Sequence, residues 1–201
     1  MPPDGGVDFH GDLIAGQGVV RWNPGIELTA ASGIYLFDGE AGAEHLRNGN
    51  GARDYSLWVT SLQAVPDIGH RPFTVTLDVM RNLESYSPAA ADPFTARNHD
   101  ETDGFALSLT WGRTRESGDW LVGYAYARIE ALAVHASYAE DDWFRWGSAT
   151  QTDSSDYSGH ELRFAYAFRP DANVVVRLFT VEALTSVQDG NRFRIDFNYS
   201  F

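Results

Sequence analysis

The sequence has no cysteine and no lysine, and all 15 basic residues are arginine. Without thiols there is no disulfide, no thiolate metal site and no cysteine nucleophile, and nothing argues against an oxidising compartment. Long apolar runs are missing too. The longest is five residues, Phe164 to Phe168, whereas a helix crossing a bilayer needs about 20, so a helical membrane protein is excluded. Positive charge is scarce: 15 arginines, never in a run, face 28 acids for a formal net charge of −13. Nucleic-acid binding is not expected, because phosphate neutralisation takes clustered cations. The opening MPPDGGVDFHGD lacks the basic and apolar regions of a secretory signal. The expectation is that such a signal has been removed or that Met1 is not the natural start. What the 201 residues do have is apolar content, 43% hydrophobic and 13% aromatic, which suits one folded unit and argues against low-complexity disorder.

That content is distributed with a period of two. In FRIDFNYSF, residues 193 to 201, Phe193, Ile195, Phe197, Tyr199 and Phe201 alternate with Arg194, Asp196, Asn198 and Ser200. Successive strand side chains point to opposite faces, so this is a strand with one greasy side. Leu162, Phe164, Tyr166 and Phe168 alternate with Glu161, Arg163, Ala165, Ala167 and Arg169, and Phe105, Leu107, Leu109 and Trp111 with Ala106, Ser108, Thr110 and Gly112. Phe73 to Val79 and Trp120 to Tyr126 follow the same rule, Val174 to Leu178 acceptably, and three earlier stretches only loosely. Nine strands are predicted, at about 11–22, 25–37, 54–65, 71–82, 103–115, 119–133, 159–169, 173–184 and 191–201, with no convincing helical period anywhere.

The connections alternate in kind. Short turns rich in Gly, Pro, Asn or Asp lie at 23–25, 66–72, 116–119 and 170–173; polar loops at 38–53, 83–102, 134–158 and, shorter, 185–190 lie between them. Short turns at one end and long loops at the other are the layout of an up-and-down transmembrane barrel. A soluble sandwich has no reason to lengthen every second connection. Volume points the same way. Several bulky residues per strand would overfill a small interior, whereas Ala, Gly, Ser, Thr and Arg can line a wet lumen. Aromatics near strand ends (Trp22, Tyr35, Phe37, Trp111, Trp120, Phe168, Tyr199, Phe201) fit interfacial girdles. The competing fold is an ordinary soluble β-barrel with these residues inside, a binding module.

The segment DGFALSLTWGRTRESGDWLVGYAYARIEALAV, then SGHELRFAYAF, NVVVRLF and the final FRIDFNYSF, resembles the C-terminal part of a porin family of bacterial outer-membrane β-barrels. The GDW turn, the GHEL strand start and the terminal Phe carry the likeness, over roughly residues 70–201. It implies a multi-pass outer-membrane barrel larger than this chain, made with a signal peptide, that lets small solutes pass without a cofactor. The last strand, with Phe193, Ile195, Phe197, Tyr199 and Phe201 on the lipid parity, resembles the signal read by the barrel-assembly machinery. Outer-membrane lipids and lipopolysaccharide are the implied surroundings.

Placing Phe201 in the periplasm puts every long loop outside and every short turn inside. Nine strands then start outside, whereas single-chain bacterial barrels have an even number. The expectation is therefore a C-terminal portion of a larger barrel, with more strands encoded upstream. The alternative is a small eight-stranded structural or adhesive barrel beginning near Gly25, if residues 11–22 are not a strand.

Candidate sites follow from parity. Asp78, Glu161, Arg163, Arg169, Arg177, Arg192, Arg194 and Asp196 fall on the lumen side, and five of them form an arginine wall on three successive strands. Such a wall can guide anionic groups, or its members can simply pair with the acids to stiffen the interior. Trp111, Trp120 and Phe168 are the expected girdle. Residues 38–54, 83–103 and 139–156 hold 14 of the 28 acids, predicting an acidic outer mouth that concentrates cations or only keeps the surface solvated. Enzymatic signals are thin: the six histidines show no paired ligand spacing, and His135 with Ser137 and Asp141, or His99 with Asp100, Glu101 and Asp103, are weak as catalytic or calcium sites. No metal, cofactor or catalytic residue is expected.

Overall fold

The computed structural model describes residues 11–23, 25–40, 53–68, 71–135, 155–187 and 189–200. Among them the elements are β1 (Gly11–Trp22), β2 (Glu27–Gly39), β3 (Tyr55–Val65), the two-residue β4 (Asp67–Ile68), β5 (Arg71–Asn82), α1 (Pro93–Arg97), β6 (Asp103–Gly112), β7 (Trp120–Ile129), β8 (Tyr157–Arg169), β9 (Ala172–Ala183) and β10 (Asp189–Tyr199). Nine long strands form one antiparallel sheet in sequence order, each beside the next, with β4 paired only to β5. The protein is thus all-β, an up-and-down meander consistent with a barrel-like fold. Among the described residues β1 pairs only with β2 and β10 only with β9. Residues 11–22 are a regular strand, paired to β2 along their whole length, so the eight-stranded layout starting near Gly25 does not describe this sheet.

Local chemistry sets the strand ends. β6 stops at Gly112, short of residue 115, because the chain turns there with φ +96°, a conformation that favours glycine. A Cβ at Gly112 would lie 2.2 Å from the Trp120 carbonyl oxygen. Asp119 then closes the turn, its carboxylate accepting from the backbone N–H groups of Arg115 and Glu116. β7 stops at Ile129 rather than 133, since Glu130 to His135 leave the sheet and fold across it. α1 was not visible as a period, being five residues long. It exists because Asp92 caps it, accepting from the N–H of Phe94 and Thr95, with Pro93 in the first turn.

Strand register fixes which residues share a face. One face carries Leu107, Tyr126, Leu162, Phe164, Val176, Leu178, Phe193 and Ile195; it is called the outer face below. The opposite, inner face carries Asp78, Ala106, Ala127, Gly159 and Val181 in one line across five strands. Burial inverts the usual rule of soluble domains. Leu162 is 54% exposed, Phe164 46% and Phe193 65%, while Glu161 on the inner face is 4% exposed. The buried clusters all lie inward: Ala127, Ile129, Ala133, Tyr157, Phe179 and Val181 in one, and Phe37, Tyr55 and Leu57 in the other.

Candidate functional site

Three arginines meet on the inner face. Arg163 on β8 is paired in register with Arg177 on β9, and Arg177 with Arg194 on β10. Cross-strand neighbours on one face lie about 5 Å apart, so like charges in line repel unless acids intervene. Glu161 does so on one side, its Oε1 2.8 Å from Arg163 Nε and 3.8 Å from Arg177 Nε. Asp196 lies 2.7 Å from Arg194 Nε on the other. Gly123 on the adjacent strand makes room, for a Cβ there would lie 3.4 Å from that of Arg163. The result is a ladder of three cations and two carboxylates, net positive, on an otherwise small-residue wall of Ser108, Thr110 and Ala125.

The remaining candidates are spread more widely. Arg192 points over the Phe179 ring at 5.9 Å. Arg169 stands beyond an irregularity in the β8–β9 register, largely exposed and paired to Asp171 at 3.0 Å, so it lies at the turn and not in the ladder. Asp78 sits on β5 between Ser61 and Ala106, three strands from β8. Trp111 and Trp120 meet edge to face at 5.2 Å near the short-turn end, with Arg71 over the Trp120 ring at 4.6 Å. Phe168 is exposed at the same end of the outer face. Phe193, Ile195, Phe197 and Tyr199 are exposed along β10, and Phe201 lies outside the described residues. Tyr35 and Phe37 are not girdle residues. Both fall on the inner parity of β2, and Phe37 is buried against His135.

The long-loop end of the inner face is filled. The strap Glu130–His135 runs from β7 across the sheet: Leu132 donates its N–H to the Glu101 carbonyl at 2.7 Å, and its own carbonyl accepts from the Asn82 side chain at 2.8 Å. His135 then stacks on Phe37 at 4.7 Å and meets Tyr55 at 4.8 Å. A second insertion is pinned beside it. Arg53 donates to the Thr95 hydroxyl at 2.9 Å, the Tyr55 hydroxyl at 3.0 Å and Asp92 at 2.7 Å, tying α1 to the start of β3. Burial alone would raise the Asp92 carboxyl, but the Thr95 hydroxyl and N–H and the Arg53 guanidinium outweigh it and hold it below the usual range. Glu101 moves the other way, raised by burial and by the neighbouring Glu130. Asp92 and Glu101 are thus partly buried, whereas Asp100 between them in sequence is exposed.

The short-turn end is open by contrast. A cavity of about 700 Å³ is lined by Gly25, Glu27, Pro66, Pro72, Arg113 and Arg115. The β1–β2, β3–β5 and β6–β7 turns, each two connections from the next along the sheet, thus contribute residues to one concavity. The loop acids Glu44, Glu140, Asp141, Asp142 and Asp153, with Ser137, lie outside the described residues. Among the described residues no three His, Asp or Glu side chains are grouped so that they could hold a metal ion. His99 pairs with Asp100 at 3.2 Å. No family model, curated protein or solved structure matches the chain, so the functional reading rests on the geometry and on the pattern of the sequence.

Proposed function

We propose that this sheet is wall of a membrane-spanning β-barrel in a bacterial outer membrane, and that its inner face provides a passive, porin-like path for small hydrophilic solutes or ions. One observation carries the reading: along the middle of β6 to β10 the large apolar side chains mostly face outward and stay exposed, while the arginine–carboxylate ladder and small residues face inward, the buried aromatic clusters lying toward the long-loop end. In water such an outer face would be an aggregation liability; in hydrocarbon it is satisfied. Strand length agrees, since the nine long strands have 10 to 13 residues and a tilted crossing takes about 9–11. β1 and β10 must find partners, from each other or from further strands, because an unpaired edge is not tolerated in lipid. The outward aromatics of β10 support recognition by the assembly machinery on the same footing.

Within that wall the ladder Arg163–Arg177–Arg194 would favour anionic groups, through forked hydrogen bonds and a net positive field. A second reading has its own support. The strap and α1 fill one end of the inner face, as expected of a closed, structural barrel. Planar-bilayer recording separates the two. The channel reading expects stepwise currents whose reversal potential in a salt gradient moves toward cations in Arg163→Ala/Arg177→Ala. A membrane-inserted protein without current would leave only the structural barrel, and unchanged reversal potential would remove the role of the ladder.

A further inference from the structure

Beside the arginine ladder the inner wall has a gap. The register sets Thr110, Gly123 and Arg163 in one row across β6, β7 and β8, and Ser108, Ala125 and Glu161 in the next. All six share the inner parity. The middle strand therefore carries no side chain larger than a methyl here, while its neighbours stand about 10 Å apart across it. The result is a notch of about 40 Å³, with Gly123 and Ala125 as its floor, Ser108 and Thr110 on one bank and Glu161 and Arg163 on the other. Arg163 leans over the floor: a Cβ at Gly123 would lie 3.4 Å from its Cβ and 3.8 Å from its Cδ. Its Nε donates to Glu161 at 2.8 Å. Among the described residues its two terminal nitrogens have no partner, and the Ser108 and Thr110 hydroxyls make no hydrogen bond. Arg163 is also the most exposed arginine of the ladder, at 39% against 33% for Arg194 and 19% for Arg177, so it is the one that a solute meets.

The geometry points to a binding site for a small hydroxycarboxylate in this notch, one per chain. The inference rests on the reading that solutes pass along the inner face, and it names the class of anion that pauses there. The carboxylate takes the N–H groups of the two terminal nitrogens of Arg163 as a fork. A hydroxyl on the neighbouring carbon turns to the opposite bank, where Ser108 and Thr110 can each donate or accept. Volume agrees. At about 10–15 Å³ for each water-sized group, the notch holds about three, the two carboxylate oxygens and the hydroxyl, while the rest of the solute stays in the lumen. A phosphate fits less well, because it brings a further oxygen and more negative charge into a notch that Glu161 also lines.

The test is saturation-transfer NMR of lactate, propionate and inorganic phosphate with the detergent-solubilised protein, and planar-bilayer recording of the same preparation. Lactate is expected to bind about fivefold more tightly than propionate, which has the carboxylate without the hydroxyl; one added hydrogen bond supplies a difference of that size. Ser108→Ala/Thr110→Val is expected to bring lactate down to the propionate level and leave propionate unchanged, whereas Arg163→Gln weakens both. Equal binding of lactate and propionate by the parent, binding of neither, tighter binding of phosphate, or a lactate preference that survives in Ser108→Ala/Thr110→Val would each overturn the site. Stepwise currents alongside any of these would leave the channel reading standing without it. A lactate preference in a protein that inserts but passes no current would support the site and remove the channel.

Discussion

β8 can be compared with itself, one face against the other. Leu162, Phe164, Tyr166 and Phe168 are 41 to 54% exposed, while Ala165 and Ala167 on the other face are 5% and 0% exposed and Glu161 is 4%. Each of the large side chains is worth roughly 1.5–3 kcal/mol when moved fully out of water, and a soluble fold would collect that. Here the interior is occupied instead by small residues, a paired carboxylate and chain inserted from the loops. On the reading proposed above, that difference suits two environments, an apolar one outside the sheet and a more polar one along the inner face.

Moving a charge by one residue breaks the comparison most severely. Phe164→Arg puts on the outer face what Arg163 already carries inside, and should cost about 2–4 kcal/mol of folding free energy in vesicles. Ser108→Arg, on the inner face of β6, should stay within about 1 kcal/mol; urea titration of both variants measures the gap. Next in size is the pin at the filled end. Arg53→Ala removes three side-chain hydrogen bonds, one of them to a carboxylate, and should cost about 2 kcal/mol, read as faster proteolysis within residues 83–102.

The same pin should respond to acid. Because the Asp92 carboxyl is depressed in the folded protein, its contribution is complete above the ordinary aspartate value near about 4. It is lost as pH falls through the depressed value. Proteolysis of the 83–102 segment should therefore be flat from pH 5 to 8 (about neutral conditions) and rise only in stronger acid, and Asp92→Asn should abolish the rise. The smallest effect is expected inside the ladder. Glu161→Gln strips one negative charge from beside Arg163 and Arg177. At about 8 Å from a passing ion in water that is about 0.5 kcal/mol for each ion, with opposite sign for anion and cation, or roughly a factor of five in anion-to-cation permeability.

Much of this arrangement was legible in the sequence, unevenly along it. From β5 onward the alternation is clean because one parity is large and apolar and the other small or charged, and the strand bounds 71–82 coincide with the structure. β1 and β2 read poorly because both parities carry bulk: Ile34 and Leu36 point outward while Tyr35 and Phe37 point inward, where the strap needs rings to pack on. The strap itself, EALAVH, is apolar and reads as more of β7; only its hydrogen bonds to Glu101 and Asn82 turn it inward, and those partners are far away in sequence. The parity of the arginines was readable, but their register was not. That Arg163, Arg177 and Arg194 stand in one line depends on two turn lengths, and the irregularity beside Arg169 moves that arginine out of it. Arg53 looked like a loop charge, since nothing in its neighbourhood announces that Asp92 and Thr95, 39 and 42 residues later, will enclose it.

The central claim is that the outer face meets hydrocarbon. A chain without cysteine allows spin labels to be attached one at a time, at Leu162→Cys, Phe164→Cys and Tyr166→Cys on one face of β8 and at Arg163→Cys, with Ser108→Cys and Ala125→Cys, on the inner face. In vesicles the first set should collide with dissolved oxygen and be shielded from a water-soluble nickel chelate, and the second set should show the reverse. Nickel accessibility at Leu162, Phe164 and Tyr166 equal to that at the inner positions, or a labelled protein that stays in the aqueous phase as a monomer without detergent, would contradict the account.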